Sequence, residues 1–178
     1  MDAFGKDGES GFLRGRLVHR LLQGLPALPL SEREAAGGRF LARAVWNLEQ
    51  KAQRALWKDV EAILSNPDWA PLFGPEAEAE VSIAGAIGGR AVSGRIDRLW
   101  VGEKDVLIVD FKSNHRRDFS NIPALYLEQL AAYRALVGEI YADRRIRCAL
   151  LWTDIPDFTP VPDADLDAVL ERLKTNWS

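Results

Sequence analysis

The first part of the chain places apolar side chains at helical spacing. Between Phe12 and Gln23 the leucines and the valine recur four residues apart, which predicts an amphipathic helix. Gly24 and Pro26 are expected to end this helix. The residues before it, 1–11, are rich in glycine and charge, and we expect a frayed end or a linker there.

A second helical segment follows the connector LPALPL. Ser31 and Glu34 are three positions apart, which is typical of a capping box at a helix start. Apolar residues then recur at helical spacing as far as Leu64, where Asn66 and Pro67 interrupt the pattern. The sequence therefore predicts one long helix from Ser31 to about Leu64.

After the turn PLFGP the apolar residues alternate with polar ones, as they do in strands. Three strands are predicted, over Glu80–Ala84, Arg90–Val101 and Val106–Lys112. The short segment between the last two, Gly102–Asp105, is typical of a hairpin turn.

The rest of the chain alternates between helix and strand. A helix is predicted over Ile122–Val137, a buried strand over Arg145–Trp152, and a closing helix over Asp163–Leu173 with Asp163 as its N-cap. Three prolines are expected to break up the segment between the last two elements. The order α-α-β-β-β-α-β-α indicates one α/β domain over residues 1–178, with a central mixed sheet flanked by helices.

Composition and charge narrow the possible functions. The chain has 47% hydrophobic and 28% charged residues, as soluble globular domains do. No apolar run is long enough to span a membrane or to form the core of a signal peptide. The single cysteine, Cys148, excludes an internal disulfide and a four-cysteine metal cluster and indicates a cytoplasmic protein. With a net charge of −3, the chain would bind nucleic acid through a local patch or a partner rather than through bulk charge.

The predicted hairpin carries the candidate chemistry. If Glu103 and Lys104 are the two turn residues, Asp97 lies directly across from Asp110, and Lys112 shares the face of Asp110. Two carboxylates at that separation repel each other unless one takes up a proton or a cation lies between them. A hard divalent cation such as Mg²⁺ prefers these oxygens and can hold a substrate phosphate.

Carboxylates, cation and ammonium together predict hydrolysis of a phosphodiester bond. A bound cation lowers the pKa of water, and the Lys112 ammonium can orient that water or stabilise the charged transition state. The alternative is a surface salt bridge without function. Two features favour a site. Asp110 follows the apolar run Val106–Val109, where an unpaired carboxylate is unfavourable, and Asp97 lies near Gly94, where another part of the chain can approach closely.

Four motifs occur in order along most of the chain: GRLVHRLL (Gly15–Leu22), GRIDR (Gly94–Arg98), VDFKS (Val109–Ser113) and QLAAYR (Gln129–Arg134). Together they resemble the RecB-type branch of the PD-(D/E)XK nucleases. The resemblance is strongest to the C-terminal nuclease domain of AddA-type helicase–nuclease subunits, which process double-strand breaks in bacteria. It implies a restriction-endonuclease-like core with an N-terminal helical extension.

The resemblance implies a role for several residues. His19, Asp97 and Asp110 match metal ligands of the family, with the Phe111 backbone carbonyl also facing the metal, and Lys112 matches its catalytic lysine.

Three further residues match positions beside the family's site. Gln129 and Tyr133 match a Q-x-x-x-Y pair that helps hold the scissile strand. Glu80 matches an acidic position on the first strand that can serve a second metal or a metal-bound water. Without the resemblance, His19 is better explained as a polar helix residue, and Gln129 and Tyr133 equally well as a half-buried helix face.

The implied activity is hydrolysis of DNA, with Mg²⁺ or Mn²⁺ as cofactor and single strands as substrate. The implied partners are helicase motor domains in the same full-length chain, because no Walker A motif occurs in this sequence, and a second helicase–nuclease subunit. We therefore expect an excised domain. Two alternatives stay open: a degenerate nuclease fold that serves as a DNA-binding or assembly module, and a free-standing exonuclease without a motor, against which the acidic charge argues.

Basic, aromatic and thiol side chains outside these motifs are weaker candidates. The tryptophans are expected in the core or in interfaces rather than stacked on bases, and Cys148 is expected to be inert. Two groups of basic residues are interpreted either as phosphate contacts or as solvated surface: Arg14, Arg16 and Arg20, and His115, Arg116 and Arg117.

Overall fold

The computed structural model describes residues 8–113 and 121–177. Within these ranges lie five α-helices and one five-stranded sheet. The helices are α1 (Gly8–Gly24), α2 (Leu30–Leu41), α3 (Gln50–Leu64), α4 (Ala124–Ile140) and α5 (Asp163–Trp177), and the strands are β1 (Ala77–Ile87), β2 (Arg90–Val101), β3 (Asp105–Lys112), β4 (Arg145–Trp152) and β5 (Asp157–Val161). Short 3-10 turns span Leu25–Ala27, Ala44–Trp46 and Pro67–Phe73.

The sheet is mixed and follows the order of the chain, β1-β2-β3-β4-β5. Neighbouring strands are antiparallel except β3 and β4, which are parallel. Parallel neighbours need a long crossover, and α4 supplies it. The predicted α/β architecture with a central mixed sheet and flanking helices is confirmed.

Two apolar layers cover the two faces of the sheet. Alternation along β3 sends Ile108 into the layer shared with α4 and α5, and Val109 and Phe111 into the layer shared with α1, α2 and α3. The sheet is therefore the middle of three layers, and α1 and α4 lie on opposite faces of β3. In the part of the chain described, no helix is long and apolar enough to cross a membrane.

The predicted long helix is wrong, because two helices occupy its place. α2 ends at Leu41, a 3-10 turn follows, and Asn47 takes a left-handed conformation (φ 48°, ψ 41°) before α3 begins. The break lets α2 pack back on α3, where a Cβ on Gly37 would collide with the Trp57 ring. Ser31 lies inside the first turn of α2 and makes no cap, because Pro29 occupies the N-cap position.

The ends of the chain differ from prediction in smaller ways. α1 begins at Gly8, so part of the predicted linker is helical. The proline-containing segment before α5 forms the edge strand β5, which pairs with β4. Proline is tolerated there because one side of an edge strand has no ladder to complete. Asp163 is the first residue of α5 rather than its cap, and its carboxylate accepts a hydrogen bond from Arg145 (2.9 Å).

Candidate active site

The hairpin of β2 and β3 has the register predicted from its turn. The ladder begins with Val101 opposite Val106 and ends with Arg98 opposite Val109. The regular pairing thus stops one position before the two aspartates. The expectation that these residues form a directly opposed ladder pair is corrected at this point, because the ladder does not include them.

Asp97 lies just beyond the last ladder pair and contacts β3 through its side chain. Its Oδ2 accepts a hydrogen bond from the Phe111 backbone N–H at 2.6 Å, in place of a backbone carbonyl of β2. Its Oδ1 lies 3.8 Å from His19 Nδ1 on α1. The Asp97 carboxylate therefore joins the end of β3 to the helix that packs on the sheet.

Asp110 faces α4 and belongs to a buried polar network. The residue is 3% exposed, and its Oδ2 lies 2.6 Å from Lys112 Nζ. Its Oδ1 accepts a hydrogen bond from Gln129 Nε2 at 2.8 Å, and Gln129 Oε1 accepts one from Lys112 Nζ at 3.0 Å. The Lys112 ammonium also lies 4.1 Å from the centre of the Tyr126 ring. Gln129 thus bridges the Asp110 carboxylate and the Lys112 ammonium, both of which lie on β3.

Tyr133 supports Gln129 from the next turn of α4. Its hydroxyl lies 3.2 Å from Gln129 Nε2 and accepts a hydrogen bond from the Arg95 backbone N–H, also at 3.2 Å. The ring packs so closely on β2 that a Cβ on Gly94 would collide with it. The glycine of the GRIDR motif is therefore needed for this contact, and Tyr133 itself is buried.

His19 reaches the site because α1 lies close to the end of β3. A Cβ on Gly15, one turn earlier, would lie 2.6 Å from Ser113 Oγ. The imidazole packs edge-on against Phe111, with ring centres 5.4 Å apart. Burial lowers the pKa of His19, so the ring is neutral at neutral pH, which is the form that binds metal.

The close packing of Gly15 against Ser113 can be tested by substitutions in α1. Gly15→Ala should push α1 away from β3 and destabilise the fold by about 1–3 kcal/mol, with reduced cation affinity because His19 moves as well. Gly11→Ala is the matched control, because a Cβ there meets nothing within 4 Å. Thermal melting and Mn²⁺ calorimetry measure both effects. A Gly15→Ala variant that matches Gly11→Ala in both would refute the role of Gly15, and Ser113→Gly should rescue the defect.

The Asp97 carboxyl has an unusually high pKa. Burial and the Asp110 charge raise the pKa of Asp97 to about 7, against an ordinary value of 3.8, although the Phe111 hydrogen bond opposes the shift. A carboxyl with this pKa is about half protonated at neutral pH. The site therefore lacks positive charge when only the protein's own groups are present.

The donor set fits a hard divalent cation. Asp97 Oδ1 and His19 Nδ1 lie 3.8 Å apart, and carboxylate oxygen together with neutral imidazole would hold such a cation. In an extended strand the N–H and C=O of one residue point to the same side, so the Phe111 carbonyl faces Asp97 too. Over residues 8–113 and 121–177, no three His, Cys, Asp or Glu side chains are already grouped as a metal site. The convergence of His19, Asp97 and Asp110 on one cation stays a prediction.

Glu80 lies at the edge of this arrangement. Its backbone has a positive φ of 56°, and the β1–β2 ladder skips it. Its Oε2 accepts a hydrogen bond from Arg95 at 3.0 Å. The Glu80 charge opposes the larger effect of burial on the pKa of His19 and adds to the rise in the pKa of Asp97, so Glu80 lies near both groups. Its role toward a second metal or a bound water stays a prediction.

A groove of about 550 Å³ includes His19 and Glu80 of the candidate site in its lining. Arg16 and Arg20 line it, and their role as phosphate contacts stays a prediction. Arg14 does not line the groove, because it donates hydrogen bonds to Asp59 and to the Thr153 carbonyl, both at 2.9 Å, and so ties α1 to the rest of the domain. The other basic candidates, at positions 115–117, lie outside the described residues.

The remaining sequence expectations concern buried groups. Burial raises the pKa of the Cys148 thiol to about 12, so it is inert as predicted. The tryptophans with described side chains are at least partly buried and pack within the apolar core, as expected: Trp46, Trp57, Trp69, Trp100 and Trp152.

Two residues near the site were missed in the sequence. Arg98 is 3% exposed, donates a hydrogen bond to the Leu22 carbonyl and lies 5.2 Å from the Phe73 ring centre. Nothing in its sequence context distinguishes it from a solvated arginine. Tyr126 precedes Gln129 by three positions, so helical spacing does place it on the same face of α4.

The network around Gln129 gives a second test. Gln129→Ala removes the hydrogen bonds to Asp110 and Lys112 without changing charge, and we expect cleavage or cation affinity to fall roughly 10–100-fold. Single-turnover kinetics and Mn²⁺ titration measure the two effects. Glu128→Ala, an exposed neighbour on α4, is the control. Unchanged rate and affinity in Gln129→Ala would show that the network is not functional.

Comparison with known proteins identifies the family to which the chain belongs. A family model described as the PD-(D/E)XK nuclease superfamily matches residues 5–176, and the chain belongs to that superfamily. Its members are nucleases that generally use divalent metal ions. A search of curated proteins gives no significant match.

Solved structures with similar folds are remote in sequence. The protein named putative exonuclease from Eubacterium rectale superposes with a TM-score of 0.58 at 16% identity over 97% of this chain, and the chain spans 66% of that structure. SSO0001 gives a TM-score of 0.36 at 16% identity over 98% of this chain and 89% of the other. VC1899 from Vibrio cholerae gives 0.34 at 14% over 97% and 57%. The first likeness supports the fold.

Proposed function

We propose that this chain is a metal-dependent deoxyribonuclease that hydrolyses phosphodiester bonds, with single strands as its substrate. The observation that carries the proposal is the pair of half-buried Asp97 and buried Asp110 just beyond the last ladder pair of the hairpin, with Lys112 2.6 Å from Asp110 and His19 3.8 Å from Asp97. Two acids, one fixed ammonium and one neutral imidazole suit phosphodiester hydrolysis better than a structural ion pair, because the acids leave uncompensated negative charge.

The protein's groups have separate roles in this reaction. Asp97, Asp110, His19 and the Phe111 carbonyl would hold Mg²⁺ or Mn²⁺, which supplies Lewis-acid assistance and a water of lowered pKa. Lys112 donates a hydrogen bond to the attacking water or to a phosphate oxygen as charge builds up in the transition state. Gln129 and Tyr133 keep Lys112 and Asp110 in place.

We further propose that the chain is the nuclease part of an AddA-type helicase–nuclease that trims broken DNA in the bacterial cytoplasm. The four ordered motifs support this assignment. The motor would lie elsewhere in the same protein, and a second helicase–nuclease subunit would be its partner. Slow cleavage by this chain, accelerated when it is fused or docked to its motor at matched salt, is the expected behaviour, and equal rates would contradict the helicase part of the proposal.

The nuclease proposal is tested by incubating the purified chain with an end-labelled single strand. Product should form with Mg²⁺ or Mn²⁺ and be absent with EDTA. Saturable binding of the strand without any metal-dependent cleavage would overturn the proposal and favour a degenerate fold that acts as a DNA-binding module.

A further inference from the structure

The face of α1 that carries His19 continues along the groove in both directions. Phe12, Arg16, Arg20 and Gln23 line the groove with it. These positions are three or four residues apart, so they share one side of the helix. The histidine of the candidate site is therefore one member of a longer row of side chains.

Three members of this row are presented to solvent. Phe12 is 76% exposed, and Arg16 and Arg20 are exposed as well. Among the described residues, neither arginine has a hydrogen bond or an ion pair. Arg14 on the same helix contrasts with them, because an ion pair with Asp59 holds it at 2.9 Å. Arg16 and Arg20 are thus free to bind an anion that enters the groove.

Phe12 differs from the other exposed apolar residues by its position. Isolated exposed apolar side chains are common and need no explanation. Phe12, however, lines the same groove as His19, one helical turn before Arg16. An aromatic ring beside cations along a groove is the arrangement that binds single-stranded nucleic acids, since bases stack on the ring and phosphates pair with the cations.

We propose that this face of α1 binds a single nucleic-acid strand, with Phe12 stacked on an unpaired base and Arg16 and Arg20 on phosphates. The inference rests on the proposed nuclease function and explains why that nuclease would prefer single strands. Bases in a duplex are stacked on one another and offer no free face to Phe12. Duplex DNA would therefore keep the arginine contacts and lose the stacking contact.

The test measures binding in EDTA, so that cleavage plays no part. The probe is a labelled thymidine oligonucleotide with one fluorescent purine analogue, compared with its duplex. Phe12→Ala should weaken single-strand binding roughly 5- to 10-fold, remove the quenching of the analogue and leave duplex binding unchanged. Phe12→Trp should retain binding. Leu30→Ala, 79% exposed and outside the groove, is the control and should have no effect.

The arginines are tested through salt dependence. Each of Arg16→Gln and Arg20→Gln should lower the slope of log affinity against log salt by about 0.7 for a single strand. Single-strand binding by Phe12→Ala equal to that of the parent, or equal weakening of single-strand and duplex binding, would overturn the proposal. Neither result involves cleavage, so failure of the nuclease function would show separately in the metal-dependent assay.

Discussion

Replacing Lys112 with alanine is expected to lower the rate of DNA cleavage roughly 10²–10³-fold while cation binding and folding persist. The Lys112 ammonium is 2.6 Å from Asp110 and 3.0 Å from Gln129, so it is fixed beside the reacting groups. Its interaction with the substrate strengthens only as negative charge accumulates on the phosphate. Removal of such a group lowers the rate constant and leaves substrate binding almost unchanged.

The measurement is single-turnover cleavage, with Mn²⁺ calorimetry and thermal melting on the same preparations. Lys104→Ala is the matched control, because this exposed lysine lies at the other end of β3, in the hairpin turn. If Lys112→Ala cleaves DNA as fast as the parent, the catalytic role is wrong and the DNA-binding-module alternative gains support.

Replacing Asp97 with asparagine is expected to stabilise the metal-free protein at alkaline pH and to abolish cleavage. Asparagine is neutral and its carbonyl oxygen can still accept the Phe111 hydrogen bond. In the parent, the pKa of Asp97 is about 7 in the folded state against 3.8 as its ordinary value. The folded state therefore binds more protons than the unfolded state between these pH values.

The sign of the pH dependence follows from this difference. The stability contributed by protonated Asp97 is fully present below about pH 4 and is lost as pH rises through about 7. At 1.36 kcal/mol per pKa unit, the shift from 3.8 to about 7 makes the loss at pH 8 on the order of 4 kcal/mol. In urea denaturation with EDTA, the free energy of unfolding of Asp97→Asn should rise relative to that of the parent between pH 5 and pH 8. A constant difference between the two proteins over that range would contradict the account.

The hairpin and the residue types of the site could be predicted from the sequence because both depend on local rules. Turn residues and alternation fix the register of β2 and β3, and the register places Asp97, Asp110 and Lys112 near one another. The long helix was predicted wrongly because the chain breaks between α2 and α3, which lets Gly37 pack against Trp57. Periodicity does not report such a contact. β5 was missed because Pro160 is acceptable only at the edge of a sheet.

The contacts between distant elements could not be predicted. Arg14 was grouped with the channel arginines, yet it pairs with Asp59, 45 positions away. The bridge from Gln129 to Asp110 and Lys112 likewise depends on how α4 packs on β3. Helical spacing showed that Gln129 and Tyr133 share a face, but the direction of that face is set by the three-dimensional fold.

The central claim is that the two aspartates and His19 hold a catalytic cation. Anomalous diffraction from crystals soaked in Mn²⁺ tests it most directly. The account predicts one strong peak within bonding distance of Asp97, Asp110 and His19, which disappears in Asp97→Asn crystals soaked in the same way. No peak at saturating Mn²⁺, or a peak that contacts neither aspartate, would contradict it.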